Sequence, residues 1–466
     1  GGPPRGSRDT LFTATKGKFT NKEEGEQSFA QIEGKPFTIT DVQKKAGREA
    51  PPHLYDLTSL QVDCNKKFSM SAETTLNVIQ SLYEKKLTTY PRVDTQYLSD
   101  DIYPKCAATL RGLRGYEAFT QPLAGKPLPK SKKVFDTSKV TDHHAIIPTG
   151  VPAQSLTDLE RNVYDLIARR FISVFYPDCK FSTTTATGQV DNVEFKVSGK
   201  QILDQGWRVL YAKDVPQDDN DGSKQQDEER TLPAFTKGES GPHKPTLTEK
   251  WTSPPPYYTE ATLLRAMETA GKFVEDEELR AALKENGIGR PSSRANIIET
   301  LFKRHYIMRE RKKIVATPTG IELIGIIKEE LLKSCELTGI WEKKLRDIEH
   351  RKYNAGQFID ELKQQITTIV NDVLADNSNR HVAVTTDEDL KKKAKKKAAT
   401  PKQTGQSTAK QARTTQKKKA QTLTADDSII GKTCPTCGKG HIIKGKTAYG
   451  CDRWKEGCTF RLPFKQ

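Results

Sequence analysis

Leu87-Thr88-Thr89-Tyr90-Pro91-Arg92-Val93-Asp94-Thr95 places a phenol, a guanidinium and a carboxylate within five residues. Upstream, Ala72, Leu76, Ile79 and Tyr83 recur at i, i+4, i+7 and i+11, the inward stripe of an amphipathic helix that should end near Lys86. Tyr90 then lies just past a helix end. Pro91 fixes its own φ and pushes Tyr90 out of the α region into extended backbone, where residues i and i+2 share a face. Tyr90 and Arg92 can therefore meet one phosphate, with the guanidinium fork gripping its non-bridging oxygens. A phenol with a pKa near ~10 needs such a cation, a base or a metal before it serves as a nucleophile. Taken alone, however, Tyr-Pro-Arg reads far more readily as a strand-edge tripeptide than as a nucleophile motif.

Composition narrows the class of partner. At 466 residues the chain exceeds a usual single core and implies three or more domains. With 76 Lys+Arg against 60 Asp+Glu the formal charge is +16, which favours a polyanion. The distribution matters more than the total. Residues 391–420 hold eleven Lys, one Arg and no acid, and the rest of the chain carries only +4, so any grip by the globular part comes from local patches. No apolar run approaches the ~18 residues of a membrane span and no signal sequence opens the chain, so the expectation is an intracellular protein. Cys64, Cys106, Cys179 and Cys335 are scattered and four more cysteines crowd the end, a pattern of reduced thiols plus one metal site.

Two further stretches carry chemistry. In Thr141-Asp142-His143-His144-Ala145-Ile146-Ile147-Pro148-Thr149 the histidines read as metal ligands, as hydrogen-bonding catalytic groups or as turn residues before an apolar run. Adjacent side chains in extended backbone point to opposite faces, which disfavours joint chelation, whereas one imidazole can bond a phosphate oxygen. In Asn286-Gly287-Ile288-Gly289-Arg290-Pro291-Ser292-Ser293-Arg294 two glycines allow a tight turn, and Pro291 suits a first helical position. Hydroxyls beside the emerging N-terminus, together with Arg290, make a phosphate seat. A lone Gly-x-Gly turn before a helix is weak evidence, since most are structural.

Together, in order and spacing, these three stretches resemble the type IA DNA topoisomerases, most closely their bacterial topoisomerase III branch. The family's active-site tyrosine lies in Tyr-x-Arg-x-Asp, its histidine motif reads His-x-Ala-Ile-x-Pro, and a Gly-Ile-Gly-x-Pro loop follows. The resemblance runs from about residue 20 to 375. It implies a multidomain α+β fold: a β-rich arch carrying a helical tyrosine domain, a helical winged-helix-like domain and a C-terminal zinc ribbon. It also implies Mg²⁺ bound by an acidic N-terminal Toprim domain. No counterpart of that cluster is found, since Asp387-Glu388-Asp389 and Asp218-Asp219-Asn220-Asp221 read as solvated acidic segments. The chain begins Gly1-Gly2-Pro3-Pro4 and has its first methionine at Met70, so a fragment or processed product is expected.

On that frame, residues 1–9 are expected to be disordered, and residues 10–57 and 183–249 form the arch. Short β-type runs between Lys35 and Thr58 and at Val193–Val197 and Trp207–Leu210 supply its strands. Residues 58–182 form the tyrosine domain. Within it Ser155–Phe175 reads as a helix with Leu159, Val163, Leu166, Ile167 and Arg170 in register, and Arg169 and Arg170 either touch DNA or line a solvated face. Residues 250–375 form the helical DNA-binding domain. Tyr258–Thr269 and Ala295–Arg304 are its first helices, followed by a hairpin tipped by Arg309-Glu310-Arg311-Lys312-Lys313, which reads as a nucleic-acid-binding wing or a solvated turn. Thr319 is expected to cap a helix over Ile321–Leu332, and Phe358, Leu362, Ile366, Ile369 and Val373 mark a long amphipathic one. Residues 376–428 cannot bury a core and form either a solvated linker or a salt-sensitive tether.

Residues 429–466 contain Cys434-Pro435-Thr436-Cys437, then Cys451 and Cys458. Four such thiolates close a tetrahedral shell around structural Zn²⁺, whose binding supplies folding energy to a module too small for its own core. Tyr449, Trp454 and Phe460 are candidates to stack on single-strand bases.

The resemblance assigns roles. Tyr90 attacks a phosphodiester of single-stranded DNA and leaves a 5′-phosphotyrosyl bond, without nucleotide fuel. Arg92 and His143 contact the phosphate and Asp94 orients Arg92 at the DNA. Arg290 and Ser293 hold DNA on the facing domain. The substrates are negatively supercoiled or catenated DNA, a helicase is a possible partner, and the setting is the nucleoid in a bacterial cytoplasm. The basic decatenation loop of some relatives has no clear match, because Gln217–Arg230 is acidic and polar. The alternative is a non-enzymatic single-strand-binding protein on the same frame. A rolling-circle tyrosine nuclease expects two histidines separated by one apolar residue, and here they are adjacent.

Overall fold

The computed structural model describes residues 10–211, 231–378, 381–386, 389, 431–444, 448–456 and 458–463. Two compact units divide the chain, Gly1–Ala399 and Thr400–Gln466. The run at 391–420, residues 1–9 and the segment 217–230 lie outside the described residues.

In the first unit, strand β1 (Thr13–Ala14) and helix α1 (Lys22–Ile32) precede a long strand β2 (Phe37–Glu49). β2 pairs antiparallel with β3 (Cys179–Val190), which turns tightly at Asp191-Asn192 into β4 (Val193–Asp204). With β5 (Ser240–Gly241) the sheet runs β1-β4-β3-β2-β5. The expected short runs after Lys35 are thus one strand, and β3 starts at Cys179, four residues before the expected boundary at 183. Trp207–Leu210 is not a strand. Gly206, at φ +51°, turns the chain into a 3-10 segment, Gly206–Tyr211. There Trp207 donates its backbone N–H to Pro177 and its indole N–H to Glu49, and Arg208 bonds the Glu49 carboxylate. A run of four residues carries too little periodicity to separate that turn from a strand.

Between β2 and β3 lie helices α2 (Leu57–Phe68), α3 (Ala72–Glu84), α4 (Tyr103–Gly112), α5 (Glu117–Thr120) and α6 (Asp158–Ser173). They enclose a core that includes Leu57, Leu60, Ile79, Leu82, Leu98, Ile146, Ile167 and Phe171. α3 follows its Ser71 cap, but its inward stripe is Ala72, Thr75, Ile79 and Leu82, and Tyr83 is exposed. α6 starts at a Thr157–Glu160 capping box, later than the expected Ser155. Leu159 in its first turn is exposed, while Val163, Leu166, Ile167 and Phe171 are buried.

Arg169 and Arg170 are committed within the fold. Arg169 pairs with Asp165 at 2.8 Å and also bonds the Leu210 carbonyl. Arg170 bonds Asp63 and the Tyr55 hydroxyl, each at 2.8 Å, and the His53 carbonyl at 2.9 Å. Both are thus held by partners within the fold, Arg169 with its side chain 25% exposed.

After β5 come α7 (Glu260–Glu268), α8 (Glu277–Asn286) and α9 (Pro291–Lys303), then the hairpin β6 (Ile307–Glu310) and β7 (Lys313–Ala316). Ala261, Leu264, Ala295, Ile298 and Phe302 from this domain pack with Val62 of α2 and Ala72 of α3, so the helices that carry the tyrosine segment rest against α7 and α9. Arg309 lies inside β6, not at the hairpin tip. Its guanidinium sits 3.7 Å over the Phe302 ring and bonds Glu260 and Glu299, leaving Arg311, Lys312 and Lys313 as the exposed basic tip.

Helix α10 (Pro318–Ile326) is capped by Thr317 and stops short of the expected Leu332. Thr319 instead bonds the Ala383 carbonyl at 2.5 Å and the Thr385 hydroxyl at 2.7 Å. Helices α11 (Glu336–Glu349) and α12 (Ala355–Leu374) complete the unit. Along α12, Phe358, Leu362 and Ile369 are half-buried while Ile366 and Val373 are exposed, so the expected stripe is only partly covered. Among the described residues no helix is long and apolar enough to cross a membrane.

The second unit contains β8 (Ile442–Lys444), β9 (Ala448–Cys451) and β10 (Arg461–Pro463), ordered β10-β9-β8. Ile442 and Tyr449 form its small core, with Phe460 packed against it. Tyr449 is only 4% exposed and is spent on that core, so it cannot stack on a base. The Trp454 side chain lies outside the described set.

Candidate active site

Helix α3 ends where Lys86 takes φ +61°. The chain then extends alongside the histidine motif. Thr89 donates its backbone N–H to Ile147 at 2.9 Å, Ile147 returns one to the Thr89 hydroxyl at 3.0 Å, and Thr149 donates to Leu87 at 3.1 Å. On its other side the Ala145-Ile146-Ile147 run donates to Tyr97 and Tyr55. The buried apolar run is thus a central tie, and it delivers His143 to Tyr90. The two rings lie 4.4 Å apart at 39°, and Tyr83 packs edge-on to Tyr90 at 5.5 Å. Tyr83, placed inward by the sequence stripe, is therefore a wall of the site.

Past Tyr90 the side chains alternate as extended backbone requires. Pro91, Val93 and Thr95 are buried, while Arg92 and Asp94 are exposed. Among the described residues no carboxylate pairs with Arg92, which leaves its guanidinium available to an anion. Asp94 does not orient it; it meets the Thr141 hydroxyl at 3.5 Å, at the start of the histidine motif. His144 turns away from His143 and donates Nδ1–H to the Ala145 carbonyl at 2.8 Å. Burial lowers its pKa, partly opposed by that bond and by Asp101, which favours the neutral imidazole.

The glycine loop forms a second part. Gly287 has φ +63°, and a Cβ there would strike the Met267 carbonyl oxygen, to which Ile288 donates at 2.8 Å. Only glycine fits. Arg290 is the exposed residue before α9, and Pro291 occupies the first helical position. Ser293 donates both its backbone N–H and its hydroxyl to the Arg290 carbonyl, at 2.9 and 3.0 Å. Its hydroxyl thereby holds the loop, and its lone pairs remain for a donor.

One residue of this stretch escaped notice in the sequence. Arg294 is 2% exposed and reaches from α9 to α2. It donates to the Ile288 carbonyl at 3.1 Å and to the Thr58 hydroxyl at 3.0 Å. Its signal was positional, since Arg294, Ile298 and Phe302 recur at helical spacing and two of the three are plainly core residues.

The four terminal cysteines converge. Their sulfurs all lie within 4.8 Å of one another, with Cys434–Cys458 at 3.7 Å and Cys437–Cys451 at 3.6 Å. A tetrahedral shell with Zn–S bonds of ~2.3 Å has edges of ~3.8 Å, so the residues fit Zn²⁺. The backbone N–H groups of Lys439 and Gly440 pull the Cys437 pKa down to about 6, whereas desolvation pushes Cys451 up to about 12, so without metal the cluster favours the thiolate at Cys437 and not at Cys451. Zn²⁺ there would cross-link the knuckle at Cys434-Cys437 to β9 and the chain after it. Among the described residues no acidic cluster suited to Mg²⁺ is assembled.

Comparison with known proteins is consistent with this arrangement. A family model described as DNA topoisomerase matches residues 6–360. DNA topoisomerase 3 of Bacillus cereus is 38% identical over 377 residues, covering 78% of this chain and 51% of that protein. The DNA topoisomerase 3 of Bacillus licheniformis is 36% identical over 355 residues, with 74% and 48% covered. In fold, the chain is similar to full-length topoisomerase I from Thermotoga maritima, with a TM-score of 0.56 at 21% identity over 79% of this chain and 57% of that one. The chain spans about half the length of the curated relatives it matches. With a family model matching residues 6–360 and relatives 36–38% identical that are DNA topoisomerase 3, the chain belongs to the type IA DNA topoisomerase family, where it is most like topoisomerase III.

Proposed function

We propose that the chain carries the cleaving half of a type IA topoisomerase III and acts on single-stranded DNA. The Tyr90 oxygen attacks phosphorus, the bond from phosphorus to the 3′ oxygen breaks, and a 5′-phosphotyrosyl ester forms. The phenol proton leaves and one proton is returned to the 3′ oxygen, so the step is balanced and its reversal reseals the strand. Bond energy stays in the ester and no nucleotide is needed. Passage of a second strand before resealing changes linkage, in negatively supercoiled or catenated DNA.

The observation that carries this reading is the grouping of Tyr90, His143 and Arg92. The Tyr90 and His143 rings are in contact at 4.4 Å, and Arg92, two residues from Tyr90, is exposed and has no carboxylate partner among the described residues. In that geometry Arg92 binds the non-bridging oxygens, where charge grows in the transition state, and the His143 imidazole orients the phenol or the phosphate. Arg290 engages the DNA backbone from the facing loop, with Ser293 shaping that loop. Asp94, through Thr141, steadies the histidine motif. Zn²⁺ on Cys434, Cys437, Cys451 and Cys458 serves structure. Mg²⁺ belongs, by family resemblance, to an acidic domain of the relatives. A helicase partner and residence in the bacterial nucleoid follow from the same resemblance.

The test is trapping of a denaturation-resistant adduct between an end-labelled single strand and the protein, followed by mapping of the labelled peptide. An adduct on Tyr90 at a 5′ phosphate supports the proposal. Tight single-strand binding without any adduct, in the presence of the domains that relatives carry, favours the purely binding alternative.

A further inference from the structure

Arg294 is costly to bury. A guanidinium removed from water loses several kcal/mol of hydration unless its donors are met, and an apolar residue at this position, next to Ala295 and one turn before Ile298, would carry no such cost. Its carboxylate neighbours are Glu268 and Asp56, which raise its pKa against the larger lowering by desolvation. The guanidinium holds two things at once: the Ile288 carbonyl in the glycine loop and the Thr58 hydroxyl in the first turn of α2.

That first turn is itself bonded to the segment after Tyr90. Leu57 donates its backbone N–H to the Val93 carbonyl at 3.1 Å. Asp56, 6% exposed, caps α2 by accepting from Ser59 at 2.7 Å and accepts from the Gln96 amide at 3.1 Å. Burial of Asp56 raises its pKa, opposed by Ser59 and Gln96. Loop 287–290, Arg294, the 56–59 turn and residues 93–96 therefore form one continuous polar connection, with Tyr90 and Arg92 at one end and Arg290 at the other.

We propose that Arg294 is a positioning residue: through Thr58 and the Asp56 cap it sets Tyr90 and Arg92 relative to Arg290, so that both sides of the site grip one DNA backbone in register. The proposal rests on Tyr90 being the nucleophile, and its test reads position independently of chemistry. Small misplacements matter here, since a shift of ~1 Å at a reacting group costs on the order of 10²-fold in rate.

The experiment places meta-fluorotyrosine at position 90 of the full chain and follows its fluorine resonance, with hydrogen exchange of residues 87–97 in parallel. Arg294→Met is expected to move or broaden the resonance and to speed exchange of that segment by ~10-fold or more, while exchange of β2 and β3 is unchanged. Arg294→Lys, which keeps one cationic donor, should recover part of the wild-type signal. Thr58→Val removes only the acceptor hydroxyl and should shift the resonance in the same direction, with no further shift in the double variant. If Arg294→Met does not fold, Thr58→Val carries the same comparison.

A folded Arg294→Met or Thr58→Val protein with an unmoved resonance overturns the proposal, as does acceleration of exchange that is uniform across the unit. Failure of the nucleophile assignment looks different. A Tyr90→Phe protein would still form adduct, whereas the fluorine and exchange responses to Arg294 would stand.

Discussion

The Tyr90 and His143 rings lie 4.4 Å apart because the Leu87–Thr89 and Ile147–Thr149 segments exchange backbone bonds, not because either residue is near the other in the chain. The pair gives the tyrosine a defined orientation, with Tyr83 closing its other edge. Tyr90→Phe keeps both ring contacts and removes only the hydroxyl. It is expected to abolish the covalent adduct while single-strand affinity, read by fluorescence anisotropy, stays within a few-fold. Equal adduct formation by the variant would remove Tyr90 from its role.

Arg92 is exposed and has no carboxylate partner among the described residues, so Arg92→Ala should leave folding intact. Single-turnover cleavage should slow by about 10²-fold, the size associated with loss of one preorganised donor to developing charge, with affinity little changed. An unchanged cleavage rate in the active enzyme counts against a phosphate contact.

The ribbon should hold about one Zn²⁺ per chain, as expected for a four-thiolate site. The Cys434→Ser, Cys451→Ser double variant removes one sulfur from each close pair and should lose the metal and the order of β8, β9 and β10 together. Elemental analysis of fresh protein checks the first statement and proteolysis the second. Absence of zinc from protein never exposed to chelator would refute the site.

Glu160 ties α6 to α3. It bonds Lys85 at 2.6 Å and Ser81 at 2.7 Å and closes the Thr157 capping box. Lys85, the Thr157 backbone N–H and Ser81 hold its pKa down to about 2, below the ~4.3 of an unfolded glutamate. The carboxylate therefore stabilises the fold above the unfolded value, and the contribution is lost as pH falls through the folded one. Glu160→Gln should lower the melting temperature at neutral pH by about 2–4 °C, and the gap to wild type should close between pH ~4.3 and about 2. A gap independent of pH would show that the charge contributes nothing.

Removing residues 391–466 takes away twelve cations of the run at 391–420 as well as the ribbon. Single-strand binding should weaken, and its dependence on log salt should flatten by about 0.7 per phosphate that the tail had engaged. An identical slope in the trimmed protein would mean that the run is only solvated.

Local chemistry was legible in the residue order. Pro91 dictated extended backbone at Tyr90, alternation put Arg92 and Asp94 on one exposed face, paired glycines with Pro291 announced a turn into a helix, and cysteine spacing marked the ribbon. Each depends on neighbours in sequence and on steric or coordination rules that act over a few residues. The three motifs in their order were also enough to indicate the family. Where the reading failed, the deciding partner was remote. Tyr83 lies outside the core stripe and packs edge-on to Tyr90; Trp207–Leu210 became a turn whose donors Glu49 and Pro177 accept; Arg309 was claimed by two carboxylates and a ring; and Tyr449 was drawn into a core of three short strands. Arg294, most of all, drew no reading from the sequence, and only the packing of α9 on α2 made it a buried link to the tyrosine segment. Desolvation and hydrogen-bond satisfaction are set by which groups the fold brings within about 3 Å, and no local pattern encodes that distance.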